Sequence, residues 1–162
     1  MRVRGMVVLL ACVLLGTLFA AFAADAPAAR TIVINEVELN PNGLDRDAEW
    51  VELLNVGSTT VDVVGWSLTY DYPIDGVEII ATESLVIRPG QRVVFRYEGL
   101  RLRNDANTVI RLLDAAGAVI DETPAFRDVY DNAKTWQRVP DGGDPLLPLW
   151  LLRDGTKNAA NA

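Results

Sequence analysis

From Thr31 onward, short runs of alternating or β-branched residues are cut at close intervals by strong turn formers. No stretch sustains a 3.6-residue apolar period, so helix is expected to be minor. The breaks are Asn40-Pro41-Asn42-Gly43, Gly57-Ser58-Thr59-Thr60, Gly65, Pro89-Gly90 and Asp114-Ala115-Ala116-Gly117. Pro89 fixes φ for the first corner of a type II turn and Gly90 supplies the positive φ of the second. Gly117 does the same for a hairpin. Between these breaks the segments Thr31–Glu38, Glu49–Asn55, Val61–Val64, Trp66–Tyr70, Val77–Ala81, Leu85–Ile87, Arg92–Tyr97, Asn107–Leu113, Ala118–Asp121 and Thr135–Pro140 read as strands. About nine short strands with turn chemistry between them predict an all-β sandwich. At 162 residues the chain is sized for one domain with one core.

The N-terminus follows different rules. Arg2 and Arg4 precede an uncharged, almost wholly apolar stretch, Gly5–Ala24, which ends in Ala21-Phe22-Ala23. Basic, apolar, then small-x-small is the order of a secretory signal peptide, expected as a helix over residues 1–23 and cut after Ala23. The alternative is an uncleaved anchor, since 20 apolar residues are long enough to span a bilayer. Two basic residues before the span hold that end in the cytoplasm. Either way the folded part is expected outside, secreted or at the cell surface. Leu9-Leu10-Ala11-Cys12 has the look of a lipoprotein box, but the apolar run continues past Cys12, which favours an ordinary apolar position. Residues 24–30 read as a linker, 31–142 as the sandwich, and 143–162 as an apolar segment with a frayed tail.

Removal of the first 23 residues takes away Arg2, Arg4 and Cys12. The 15 basic residues become 13 against 22 acidic ones, and net charge moves from −7 to −9. No His and no Cys remain. Such a chain holds no Cys/His zinc site. It forms no Ser–His–Asp or Cys–His nucleophile pair, and no disulfide of its own. Nor does it carry the basic surface of a non-specific nucleic-acid binder.

Several pieces, taken in order, resemble the lamin-tail domain family in its prokaryotic exported form. They are Ile34-Asn35-Glu36-Val37, Asn40-Pro41-Asn42-Gly43-Leu44-Asp45, Glu49-Trp50-Val51-Glu52-Leu53-Leu54-Asn55 and Val61–Leu68 with Gly65-Trp66. Later come Pro89-Gly90, Leu102-Arg103-Asn104, Leu113–Gly117, Asp121 and Trp136–Gly142. Two departures concern loops. Asp154-Gly155-Thr156-Lys157-Asn158 lacks the proline of the usual closing segment, and Asn104-Asp105-Ala106-Asn107 lacks the common Asn-x-Gly-Asp corner. The resemblance implies an immunoglobulin-like β-sandwich that binds and tethers without a shared catalytic activity, which is an argument by analogy.

Four groups of residues carry candidate chemistry. Asn40, Asn42, Asp45, Asp47 and Glu49 place five oxygen-bearing side chains in ten residues, a set from which a Ca²⁺ site could be drawn. The spacing is not that of an EF-hand, and Asx-turns with solvated acids are the simpler reading. Glu36 and Glu52 sit in strands expected to be neighbours, the arrangement of an acid/base pair in glycoside cleavage; solvation or pairing with Arg is the competing account. Trp50, Trp66, Trp136 and Trp150 could stack sugars, although Trp50 and Trp66 are expected in the core, Trp136 stacked on Arg138, and Trp150 packed across an open end of the sandwich. Arg88, Arg92, Arg96, Arg101, Arg103 and Arg111 form either an anion-binding stripe or a set of cross-strand ion pairs, and pairing is the expectation.

The expected function is therefore an exported, non-catalytic interaction module without a resident cofactor. Its partner is expected to be a protein or a cell-envelope component, not nucleic acid, with membrane contact only through an uncleaved N-terminal segment. A Ca²⁺-dependent adhesion or carbohydrate-binding domain and a divergent hydrolase are the alternatives.

Overall fold

The computed structural model describes residues 30–70, 76–96, 102–144 and 148–161. The expected signal segment, the linker up to residue 29 and Arg101 lie outside the described residues. Within them the chain is all-β, as expected, with eleven strands: β1 (Ile32–Glu38), β2 (Trp50–Asn55), β3 (Val61–Asp62), β4 (Ser67–Tyr70), β5 (Gly76–Ile79), β6 (Val86–Ile87), β7 (Arg92–Arg96), β8 (Ile110–Leu113), β9 (Val119–Glu122), β10 (Lys134–Val139) and β11 (Leu149–Asp154). They form a five-stranded sheet in the order β11-β10-β1-β2-β7, a four-stranded sheet β5-β4-β8-β9, and the small pair β3-β6. Every pairing is antiparallel. Gly90 and Gly117 take the positive φ that their turns demand.

β1 is the central strand of the larger sheet, and its sequence explains its path. Ile32 and Ile34 point into the core, but the next core residues are Val37 and Leu39, one step out of phase. A bulge absorbs the mismatch: Ile34 faces Leu53 while Glu36 faces Glu52, leaving Asn35 as the extra residue. This keeps both glutamates on the outer face and returns Val37 to the core opposite Val51. On β2 the alternation runs as expected, with Val51 and Leu53 inside and Trp50, Glu52 and Leu54 on the other face.

The two large sheets are joined by charge as well as by apolar packing. Asp121 of β9 points inward and accepts the Ile34 N–H at 2.8 Å. Arg138 of β10 donates to the Ile34 carbonyl at 2.8 Å and to Asp121 at 2.5 Å. Both side chains are fully buried. The bulged strand's backbone groups are thus satisfied by an ion pair that bridges the sheets. The guanidinium also lies 5.0 Å from the Trp150 ring centroid. Arg138 therefore stacks on Trp150 and not on Trp136, which stacks on Phe126 at 4.8 Å.

The C-terminal region differs most from expectation. β11, not Thr135–Pro140, is the last strand, and it pairs along the whole of β10. Its continuous apolar run conceals the alternation: Trp150 is buried in the core while Leu149 is 55% exposed. The tail beyond it is not frayed. The Gly155 N–H bonds to the Ala133 carbonyl, and Asn161 bonds to the carbonyls of Asn35 and Arg138 at 2.9 Å each.

Removing Asp121 strips the buried Arg138 of its carboxylate, and removing Arg138 leaves the buried Asp121 only the partly exposed Arg30, 3.3 Å away. Asp121→Asn or Arg138→Met is expected to cost about 3–5 kcal/mol in urea unfolding. The double replacement Asp121→Leu with Arg138→Met is expected to cost less than the two single losses added together, which a double-mutant cycle measures.

Candidate functional site

The loops at one end of the sandwich are tied into a single platform. They are 39–49 between β1 and β2, 102–109 before β8, and 123–133 between β9 and β10. Asn104 stands at their junction. Its amide donates to Asn40 Oδ1 at 3.0 Å and to Asp45 Oδ2 at 3.1 Å, and its carbonyl accepts the Asp128 N–H at 2.9 Å. Asn40 in turn donates to the Asp128 carbonyl. Asp131 accepts the Gly43 N–H at 2.7 Å, and Glu49 accepts the Leu102 N–H at 2.5 Å. These local side-chain bonds are what Asn and Asp do best in turns.

On this frame stand Leu44, Val129 and Tyr130, with 84%, 51% and 69% of their surface exposed. Loop residues Arg46, Asp47, Asp105, Arg127 and Asp131 supply exposed charge around them. An exposed apolar group with a charged rim, held by bonded loops, is an arrangement suited to recognition.

The five residues considered for Ca²⁺ do different jobs. Asn40 and Asp45 meet through Asn104, and Glu49 is fully buried against Leu102 instead of lying on a wet strand face. Asp47 takes a positive φ of 63° and pairs with Arg46 at 3.7 Å. Asn42 is exposed. Among the described residues, no three carboxylates come together as a metal-holding group.

Glu36 and Glu52 are brought face to face, as expected, but neither solvation nor Arg pairing alone describes them. Both are fully buried because the C-terminal tail lies over the outer face of the sheet. Glu36 accepts from Thr135 and Gln137 and from the N–H and hydroxyl of Thr156. Glu52 accepts from Asn35 at 3.0 Å and from the Asn158 N–H at 2.7 Å, with Arg92 at 3.5 Å. Every oxygen of the pair is occupied by a donor, so the two carboxylates hold the tail where a substrate would have to sit. Burial pushes the Glu52 carboxyl up. Beside them Glu38 is raised to about 7, chiefly by burial and also by the nearby Asp128 and Glu36.

Trp50 is buried as expected, but on this same outer face and outside the main core cluster, with Lys157 of the tail 4.6 Å from its ring centroid. Trp66 packs against the core as expected. Among the arginines, Arg111 pairs with its cross-strand neighbour Glu122, Arg92 with Asp141 and Glu52, and Arg103 with Asp105. The sequence reading missed Asp128, Asp131 and the tail donors Thr156, Asn158 and Asn161. Their signal was the density of Asn, Asp and Thr in segments without strand character.

A family model described as Lamin Tail Domain matches residues 25–125. No curated protein matches the chain.

Two outcomes are expected from this geometry. The raised Glu38 pKa means that the folded state holds this proton more tightly than the unfolded chain. Its contribution to stability is full below about pH 4.5 and is lost as pH rises through about 7. Glu38→Gln should therefore gain stability over the parent at pH 8, on the order of 3 kcal/mol at most, and converge with it near pH 4, measured by urea unfolding at each pH. The melting temperature should be the same in Ca²⁺ and in EDTA, because Asn40, Asp45 and Glu49 are already committed to protein donors.

Proposed function

The chain belongs to the lamin tail domain family, and from that premise we propose that it is an exported interaction and tethering module acting at or outside the cell surface. The family is a non-catalytic, immunoglobulin-like one, which supports binding as the activity. What carries the reading is the contrast between two sets of residues. The facing carboxylates Glu36 and Glu52 are sealed under the tail, whereas Leu44, Val129 and Tyr130 stand exposed on a braced loop platform. Export is supported by Arg2, Arg4, the apolar stretch and Ala21-Phe22-Ala23.

Recognition would proceed by docking a preformed surface. The bonds of Asn104, Asn40 and Asp131 fix the loops before any partner arrives, so little ordering entropy is lost on binding. Tyr130 supplies a large, amphipathic contact with few rotors, the kind of side chain that dominates binding energy. The charged rim sets orientation more than affinity. A protein or another cell-envelope component fits such a surface.

The test couples the full chain to a support and passes envelope extract over it. A component retained by the parent should be lost at least tenfold from a Leu44→Ser, Tyr130→Ser variant whose melting temperature is unchanged. Equal retention by the two would remove this end of the sandwich as the binding surface. Fractionation that leaves the chain in the cytoplasm would remove export.

A further inference from the structure

The four-stranded sheet has an inner face that builds the core, with Leu68, Tyr70, Ile110 and Leu112 all buried. Its outer face is different. One register row runs across all four strands as Ile79, Ser67, Leu113 and Val119. Ile79 and Val119, on the two edge strands, are 58% and 50% exposed. In the next row Thr69 lies beside Arg111, and Arg111 lies beside Glu122, with the guanidinium donating to the carboxylate at 2.5 Å. A bulge on β9 at Ile120 sets this pattern. It keeps Asp121 pointed into the interior, Glu122 outward beside Arg111, and Val119 outward beside Leu113.

Among its described side chains this face holds a largely apolar row and one charge of each sign, on a chain whose net charge is −7. A second acidic chain is repelled by most acidic surfaces, but not by a locally neutral one. The positions are also self-complementary. Laid face to face about a two-fold axis running along the strands between β8 and β9, Arg111 meets Glu122 of the second copy and Glu122 meets its Arg111. The same operation sets Leu113 against Val119 in both directions. Residue i meeting j while j meets i is the condition for a closed isologous pair.

We propose that the outer face of β8 and β9, at one side of the four-stranded sheet, docks on the same two strands of a second copy of this chain. The two rows adjoin the platform end of the sheet, where loop 102–109 enters β8 and loop 123–133 leaves β9, but Leu44 and Tyr130 are not among the residues that meet across the axis, so the pair presents two platforms on one particle. Two rows of side chains make a small contact, well under the ~800 Å² per partner of a standard interface, so the association is weak and concentration-dependent.

The experiment uses the full chain co-expressed as two differently tagged copies, with a photoreactive amino acid in place of Val119. Irradiation is expected to give an adduct carrying both tags. The same group at Val129 serves as the control position and is expected to give none. Arg111→Glu in both copies, or Glu122→Arg in both, should lower the mixed adduct at least tenfold, because like charges then face one another. An Arg111→Glu copy paired with a Glu122→Arg copy should restore it, since opposite charges meet again across the axis. Circular dichroism melts on each variant show that the fold persists. The proposal is overturned if position 119 captures another protein, if it captures residues 1–29 of its own chain, if it yields no mixed adduct, or if the two reversed copies pair no better together than with themselves.

Discussion

The sandwich is organised around a fault in its central strand. Core positions on β1 change phase between Ile34 and Val37, and the chain accommodates this with an extra residue at Asn35. A bulge leaves backbone groups that the regular ladder does not serve, and in an interior such groups are costly when unmet. Here the Ile34 N–H and C=O are met by Asp121 and Arg138, which reach each other in the same place. On the other side of the fault the Asn161 amide bridges the carbonyls of Asn35 and Arg138. An isolated buried ion pair is poor support for a fold. This one is distinguished by its bonds to β1 backbone, which tie sheet-to-sheet packing to the register of a single strand.

The same bulge governs the outer face. By placing Glu36 opposite Glu52 it creates two buried like charges that need donors, and the tail supplies them through Thr156 and Asn158. A pair of facing carboxylates is in other settings a catalytic arrangement. Its role here follows from what lies over it. The loop after β10 packs tightly beside it: at a φ of 69° the Gly142 N–H reaches Asn35, and a Cβ there would come within 2.8 Å of Val56.

Much of this was legible in the sequence. Turn residues located the strand breaks, because Gly90 and Gly117 have conformations that few other residues accept. Alternation placed Val51 and Leu53 inside and predicted that Glu36 and Glu52 would be neighbours. What escaped was whatever depended on distant segments meeting. Leu149–Asp154 reads as an apolar cap because a run of leucines around a tryptophan has no period of two, and only pairing with β10 decides its state. Glu49 reads as a solvated acid because nothing near it in sequence announces the Leu102 N–H, 53 residues away. The exchange of Trp136 for Trp150 as the ring beneath Arg138 has the same cause: Trp136 shares its face but stands two residues along the strand, whereas Trp150 is the direct cross-strand partner and lies closer.

The tail has a temporal side as well. Residues 155–161 leave the ribosome after every strand they cover, and a domain folds as a unit. Until residues 155–161 arrive, Glu36 and Glu52 lack the Thr156 and Asn158 donors and Asn35 lacks the Asn161 amide. Every strand of the larger sheet is thus synthesised before the residues that seal it. A chain built this way leaves its facing carboxylates open to water until all the strands around them have been made, and closes over them only with residues 155–161.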